Sequence, residues 1–477
     1  MVIKKDGKII VHPYIPNSVP EVQEEMLKVI GVSSIEELID KVIPKELQFK
    51  GELGLPEPLL SEYELKRHVM KILSKNKTCE ECLCFLGGGT WPHYVPAICD
   101  EIASRAEFLT AYAGETYEDH GRWQALFEYQ SFMAELLDMD VVSVPIYSWG
   151  HAAGTSIRMA SRITGKNEAL IVDTISPERR RIIENYVEPH VKIKWIKHDP
   201  ETGMMDLEDL KSKIPSNTAA VYFENPSYLG FIETQGKEIS EIAHDKGALV
   251  VVGVDPISLG VLELPSHYGA DIVCGDLQPL GIHMNFGGGL AGFVATRDDP
   301  KFVKEIPYRI FGLAKTIVEG EYGFGDLAFE RTSFMVRETP TESKEFVGTA
   351  AALWGIVAGV YLALMGPKGM WEIGKTIMQR SKYAMKRLSE IEGVMVPRFK
   401  APHFKEFVVD FNATNMTVKE INARLLDYGI IGGIDLSRDF PELGNSALYC
   451  VTEIHTKEDI DRLHDALEEI ISGRRKR

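Results

Sequence analysis

An α/β fold on a mostly parallel sheet, with helices on both faces, is the architecture this sequence predicts. Three observations carry it. From about 165 to 275, short apolar runs alternate with helical stretches, the pattern of strand–crossover–strand units. Leu249-Val250-Val251-Val252 is apolar without interruption, as a strand covered on both faces must be. After about Arg331 a smaller set of helices and strands follows. The expected division is a helical N-terminal segment over 1–85, a large α/β domain over 86–330 and a small α/β C-terminal domain over 331–477.

The first segment is predicted helical from its starts. Ser18 with Glu21, Ser34 with Glu37 and Ser61 with Glu64 are each a Ser three residues ahead of a Glu, the capping-box spacing. Leu65, Val69, Ile72 and Leu73 then follow helical periodicity. Gly51 to Pro58 is a connector rich in Gly and Pro.

In the large domain, Arg122 to Leu137 carries a broad apolar helical face that includes Trp123, Leu126, Phe127 and Met133. A second helix runs from about His151 to Ile163, and Gly165 can end it. Strands are expected at 169–172, 191–195, 219–223, 249–252 and 271–274, with helices over 177–186, 206–213 and 238–246 between them. In the strand at 191–195, Val191, Ile193 and Trp195 alternate with Lys192 and Lys194, so one face is solvated. Ala350 to Met365 predicts a buried helix stopped by Gly366-Pro367, and its 16 residues are short for a membrane span. A strand at 407–411, a helix started by Thr417 and Glu420, a strand at 446–452 and a helix opened by Thr456 and Asp459 complete the small domain.

The 477 residues are 44% hydrophobic and 26% charged, with a formal net charge of −17. An ordinary globular balance follows, and nucleic-acid binding is disfavoured, because phosphate contacts need clustered cations. Arg474-Arg475-Lys476-Arg477 is the one dense basic run and is expected to be a solvated tail. The N-terminus lacks the apolar stretch of a signal peptide, which predicts a cytoplasmic protein without membrane segments. Of six cysteines, Cys79, Cys82 and Cys84 form a C-x2-C-x-C group. A metal there would need a fourth ligand such as His93 or Cys99; without a second C-x2-C pair, free thiols are expected and no metal.

In open α/β sheets, ligands bind beyond the carboxyl ends of strands. Asp255 follows the buried run at 249–254, where an acid can pair with a pyridinium nitrogen or can cap the turn before Pro256. Ser148-Trp149-Gly150-His151 leads into a helix whose N-terminus can hold a phosphate, and His151 could stack on a flat ring. A pyridoxal enzyme also needs a Schiff-base lysine downstream of that acid. No lysine occurs between Lys246 and Lys301, and Gln278 or Pro279 stands where it would be expected. Neither has an amine, so no covalent link can form there.

Blocks along the chain resemble a known family. They are, loosely, Asp40 to Leu60, then His93-Tyr94-Val95-Pro96-Ala97, Glu107 to Tyr112, Gln124 to Gln130, Val252 to Gly260, Gln278-Pro279-Leu280-Gly281, Phe286-Gly287-Gly288 and Gly292 to Arg297. In these the chain resembles the alpha-type, lysine-less subunit of the two-subunit glycine decarboxylase, the P-protein of the glycine cleavage system. The resemblance implies the fold of pyridoxal-phosphate (PLP) fold type I enzymes. It implies that PLP is bound covalently by a lysine-bearing, beta-type homologous subunit rather than by this chain. The pair would decarboxylate glycine and pass the aminomethyl group to a lipoylated carrier protein. The chain itself would supply no catalytic residue. His93, Tyr94, Tyr112, Tyr117 and His120 become candidates for the shared cleft or interface, and His151, Asn225, Asp255 and Gln278 for a vestigial cofactor site, which leaves non-covalent PLP open. The chain departs from the family pattern at Tyr112 to Gly121, Ser148 to His151, Pro226 to Gly230 and Phe346 to Ala350. These departures keep two alternatives: a paralogous subunit of an enzyme for another small amino acid or amine, and a non-catalytic scaffold.

Overall fold

The computed structural model describes residues 3–5, 8–10, 15–16, 19–51, 54–56, 58–109, 120–334, 344–345 and 350–473. They divide into two compact units, Met1–Asn76 and Lys77–Arg477.

The first unit contains an antiparallel pair, β1 (Ile3–Lys5) and β2 (Lys8–Ile10), in a stretch expected to be helical. Three helices follow, α1 (Pro20–Ile30), α2 (Ile35–Val42) and α3 (Glu62–Leu73). The Ser34 and Ser61 side chains accept the Glu37 and Glu64 N–H groups, as the spacing predicts. The start of α1 differs: Val19 is its N-cap, Pro20 opens its first turn, and Ser18 lies outside the described residues.

The second unit begins with β3 (Leu83–Cys84), α4 (Ala97–Ala103), α5 (His120–Leu137), β4 (Val141–Val142) and α6 (Trp149–Thr164). Then come β5 (Glu168–Val172), α7 (Pro177–Val187), β6 (Lys192–Ile196), α8 (Leu207–Lys213), β7 (Thr218–Glu224), α9 (Gly236–Asp245), β8 (Leu249–Val254), β9 (Ile272–Asp276) and β10 (Gly292–Thr296). These strands make one seven-stranded sheet in the order β4-β10-β9-β8-β7-β5-β6. From β6 to β9 every neighbour is parallel, while β10 runs antiparallel to both β9 and β4. The antiparallel strand was not read from the sequence. Every residue of β7 and β9 is buried, and only Leu249 of β8 is half-buried, whereas β6 at the sheet edge stays largely half-exposed.

The rest of the unit holds α10 (Pro300–Val303), the hairpin β11 (Phe311–Lys315) and β12 (Tyr322–Asp326), α11 (Ala328–Arg331) and α12 (Ala352–Leu388). The small sheet is made by β13 (Glu406–Asp410), β15 (Ile434–Asp435) and β16 (Ser446–Cys450), with α13 (Val418–Leu425) and α14 (Lys457–Ser472) packed on it, while β14 (Ile430–Ile431) pairs with β3. Thr417 with Glu420 and Thr456 with Asp459 form full capping boxes. By length and composition α12 could cross a membrane. It is broken at Gly366 (φ 57°), where the sequence predicts a stop, and Ile356, Val357, Tyr361 and Ile377 are buried in the protein.

Three acids stand at the carboxyl ends of adjacent central strands: Glu224 ends β7, Asp255 follows β8 and Asp276 ends β9. The site is built around them.

Candidate functional site

Asp255 is buried and doubly engaged. Its Oδ1 accepts the Ile257 N–H at 3.1 Å, capping the turn before Pro256, and its Oδ2 lies 2.7 Å from Lys405 Nζ. Lys405 sits on the last residue before β13, in the small sheet, with its side chain 3% exposed. The ammonium lies 3.5 Å from the centre of the Trp91 indole, a cation–π contact in a desolvated place. It also stands 3.1 Å from His93 Nε2. Lysine only donates, so Nε2 accepts and Nδ1 carries the proton, which points to Glu453 Oε2 at 2.8 Å. Burial alone would raise the Glu453 carboxyl; His93 and the Tyr94 N–H, 2.7 Å from Oε1, outweigh burial and hold it down at about 2.

Gln278 fixes the other side of this arrangement. Its Oε1 accepts the Trp91 N–H at 3.0 Å, and its Nε2 donates to Trp91 O at 3.2 Å and Ile282 O at 3.0 Å. The amide at the position expected for a lysine therefore clamps the backbone of the residue whose ring lies under Lys405. Pro279 follows it in the chain and is buried.

The start of α6 is occupied as well. Ser148 caps it, and the Trp149 N–H donates to Asp276 Oδ2 at 3.1 Å. Burial pushes the Asp276 carboxyl up to about 6 in spite of three backbone donors. The Trp149 indole donates to Tyr222 OH at 3.1 Å and stacks on the Arg179 guanidinium at 4.1 Å. Arg179 makes a two-pronged pair with Glu224, both bonds 2.6 Å. Burial would lower the Arg179 pKa, but Glu224 reverses the sign and raises it. Glu406 accepts the Gly88 N–H at 2.6 Å, and burial raises its carboxyl. A Cβ on Gly87 would lie 2.2 Å from Glu406 Oε1, so this loop needs glycine to approach. The space left among Trp91, Trp149, Arg179, Tyr228, Asp255 and Lys405 is a cavity of about 10 Å³.

The remaining candidates lie elsewhere in the same region. Asn225 clasps both the N–H and the carbonyl of Glu233, each at 3.1 Å, and so holds a loop. The His151 ring is half-buried between Tyr147 and Tyr186, and burial lowers its pKa. Tyr94 is 65% exposed beside a 240 Å³ hollow that Glu453 also lines. Tyr112 and Tyr117 lie outside the described residues, and His120 enters as the first residue of α5. Cys79 is exposed, while Cys82, Cys84 and Cys99 are buried. Among the described residues the one grouping of three metal-ligand-type atoms is His464, Asp465 and Glu468, which includes none of these thiols. Sequence reasoning missed Trp91, Arg179, Lys405 and Glu453. Lys405 had one available signal, a cation next to Glu406 at the start of the apolar Phe407 to Val409 run.

Residues 12–467 match the model of the family described as Glycine cleavage system P-protein. A curated relative from Staphylothermus marinus, named probable glycine dehydrogenase (decarboxylating) subunit 1, is 43% identical over 97% of this chain and 98% of its own length. A crystal structure of glycine decarboxylase (P-protein) of the glycine cleavage system, in inhibitor-bound form, superposes with a TM-score of 0.82 at 32% identity, covering 96% of this chain and all of that one. A sphingosine-1-phosphate lyase of Burkholderia pseudomallei shares the fold at 15% identity, with a TM-score of 0.62 over 90% of this chain and 95% of its own. The fold is that of PLP-dependent fold type I enzymes, and the chain belongs to the glycine cleavage system P-protein family.

Proposed function

We propose that this chain is the cofactor-free subunit of a two-subunit glycine decarboxylase. The single observation that carries the reading is the Lys405–Asp255 ion pair, at 2.7 Å, closed over by the Trp91 ring that Gln278 holds. The residues at the strand ends do not fit PLP. There is no lysine to take the aldehyde, since Gln278 stands there with its amide spent on Trp91 and Ile282. The acid that would face a pyridinium nitrogen already faces an ammonium. At the N-terminus of α6 the carboxylate of Asp276 takes the Trp149 N–H and would repel a phosphate. The space beside Asp255 itself, about 10 Å³, holds no ring.

The cofactor therefore belongs to a partner, a homologous subunit that carries the lysine. That pair decarboxylates glycine and hands the aminomethyl group to a lipoylated carrier protein. This chain contributes cleft wall and interface, with Tyr94 as an exposed candidate set by the Glu453–His93 bond behind it. PLP would supply the electron sink in the partner. The test is cofactor content. The chain is purified alone and together with its lysine-bearing homologue, treated with borohydride and digested. PLP on a partner lysine and none retained by this chain is the expected result; stoichiometric PLP on this chain alone would end the reading.

A further inference from the structure

Beside the strand-end site, and sharing Trp149, Arg179 and Asp276 with it, lies an open cleft of about 770 Å³, whose walls also include Leu86, Gly88, Ile182, Phe286 and Leu290. Two of the three thiols in the C-x2-C-x-C group, Cys79 and Cys84, line it, and Cys82 does not. A single helical turn brings them together. The Cys82 N–H donates to Thr78 O at 2.9 Å, and the Leu83 N–H then donates to Gly429 O at 3.0 Å, so the chain doubles back and leads into β3. Cys79 is exposed at the start of the turn, and Cys84, 6% exposed, is fixed in β3 at its end. The two cysteines line the same cleft from the two ends of this turn. The neighbouring Cys84 side chain lowers the Cys79 thiol to about 7, against the opposing effect of burial, while Cys79 and burial both raise Cys84. One thiol is thus an exposed nucleophile, and its neighbour holds its proton until it is needed.

We propose that Cys79 and Cys84 form a dithiol site that exchanges with low-molecular-weight disulfides entering this cleft. The Cys79 thiolate attacks one sulfur of R–S–S–R, forming a mixed disulfide and releasing one thiolate RS⁻. Cys84 gives its proton to solvent, and its sulfur attacks Cys79 Sγ, closing the Cys79–Cys84 disulfide and expelling the second thiolate. Two protein thiols are oxidised, one small disulfide is reduced to two thiols, and two electrons pass between them. Cys82 and Cys99 are buried and do not line the cleft, and take no part; burial pushes Cys99 up to about 11.

The experiment uses the full folded chain with oxidised glutathione as the probe, read by intact mass and peptide mapping. The native chain is expected to lose two hydrogens, with the link mapped to Cys79 and Cys84. Cys84→Ser should stop at a stable glutathione adduct on Cys79, and Cys79→Ser should give neither link nor adduct. Cys82→Ser should behave as wild type. Cys79 should react on the order of tenfold faster than an ordinary thiol at neutral pH, with a half-point near pH 7. Far-ultraviolet circular dichroism checks that each variant folds. A native chain left unmodified while the unfolded chain reacts would overturn the proposal. So would a link through Cys82, or an adduct on Cys79 in the wild type that never resolves.

Discussion

Lys405 Nζ stands 2.7 Å from Asp255 Oδ2, joining the small sheet to the carboxyl end of the central strand of the large one. Both side chains are at most 5% exposed. Each charge is tolerable there only because of the other.

Removing one partner is accordingly costly. Lys405→Met leaves a buried carboxylate unpaired and should destabilise the chain by about 3–5 kcal/mol. Lys405→Met with Asp255→Asn removes both charges and should recover most of that loss. Urea unfolding of the single and double variants decides it. Equal stability of Lys405→Met and wild type would mean that the pair does not close the site.

Gln278→Lys returns an amine to the expected position. It should still not recruit PLP, because Asp255 and the start of α6 remain engaged. It should destabilise the chain by about 1–3 kcal/mol, since buried backbone groups of Trp91 and Ile282 lose their partners. Absorbance after dialysis against PLP, with borohydride fixation, reads the first effect and thermal melting the second. Stoichiometric fixed cofactor in this variant would show that the missing lysine alone kept PLP out.

Glu453 supplies a pH dependence. Its folded-state pKa is lowered from 4.5 to about 2. The native state therefore binds fewer protons than the unfolded chain, and its stabilisation is complete above about 4.5 and lost as pH falls towards 2. The loss amounts to about 3 kcal/mol at most. Glu453→Gln should flatten the acid limb of the stability curve over that window. An unchanged acid limb would place the acid sensitivity in other carboxylates.

Much of the fold was legible because its signals are local. Ser34, Thr417 and Thr456 cap helices three residues ahead of an acid, and the run at 249–252 is apolar because helices cover it on both sides. Asp255 was legible for the same reason, as the residue after that run. The occupants of the site were not. Trp91 and Gln278 are separated by 187 positions, Lys405 and His93 by 312, and His93 and Glu453 by 360. No periodicity spans such distances, and a lone Lys or Trp carries no mark of its partner. The strand at 292–296 was missed because Gly292 and two small or polar residues weaken its apolar pattern, and pairing with β9 makes it a strand. The resemblance to the P-protein family, by contrast, rested on short blocks spread along the chain, and the match over 12–467 bears it out.

The most direct measurement is glycine-dependent exchange of labelled bicarbonate in the presence of a lipoylated carrier. It is run on this chain alone, on its lysine-bearing homologue alone and on the assembled pair. Exchange by the pair, and by neither chain alone, is the predicted result. Exchange by the homologue alone at the rate of the pair, or none from a stable pair that holds the cofactor, would contradict the role of this chain as a required subunit of a glycine decarboxylase.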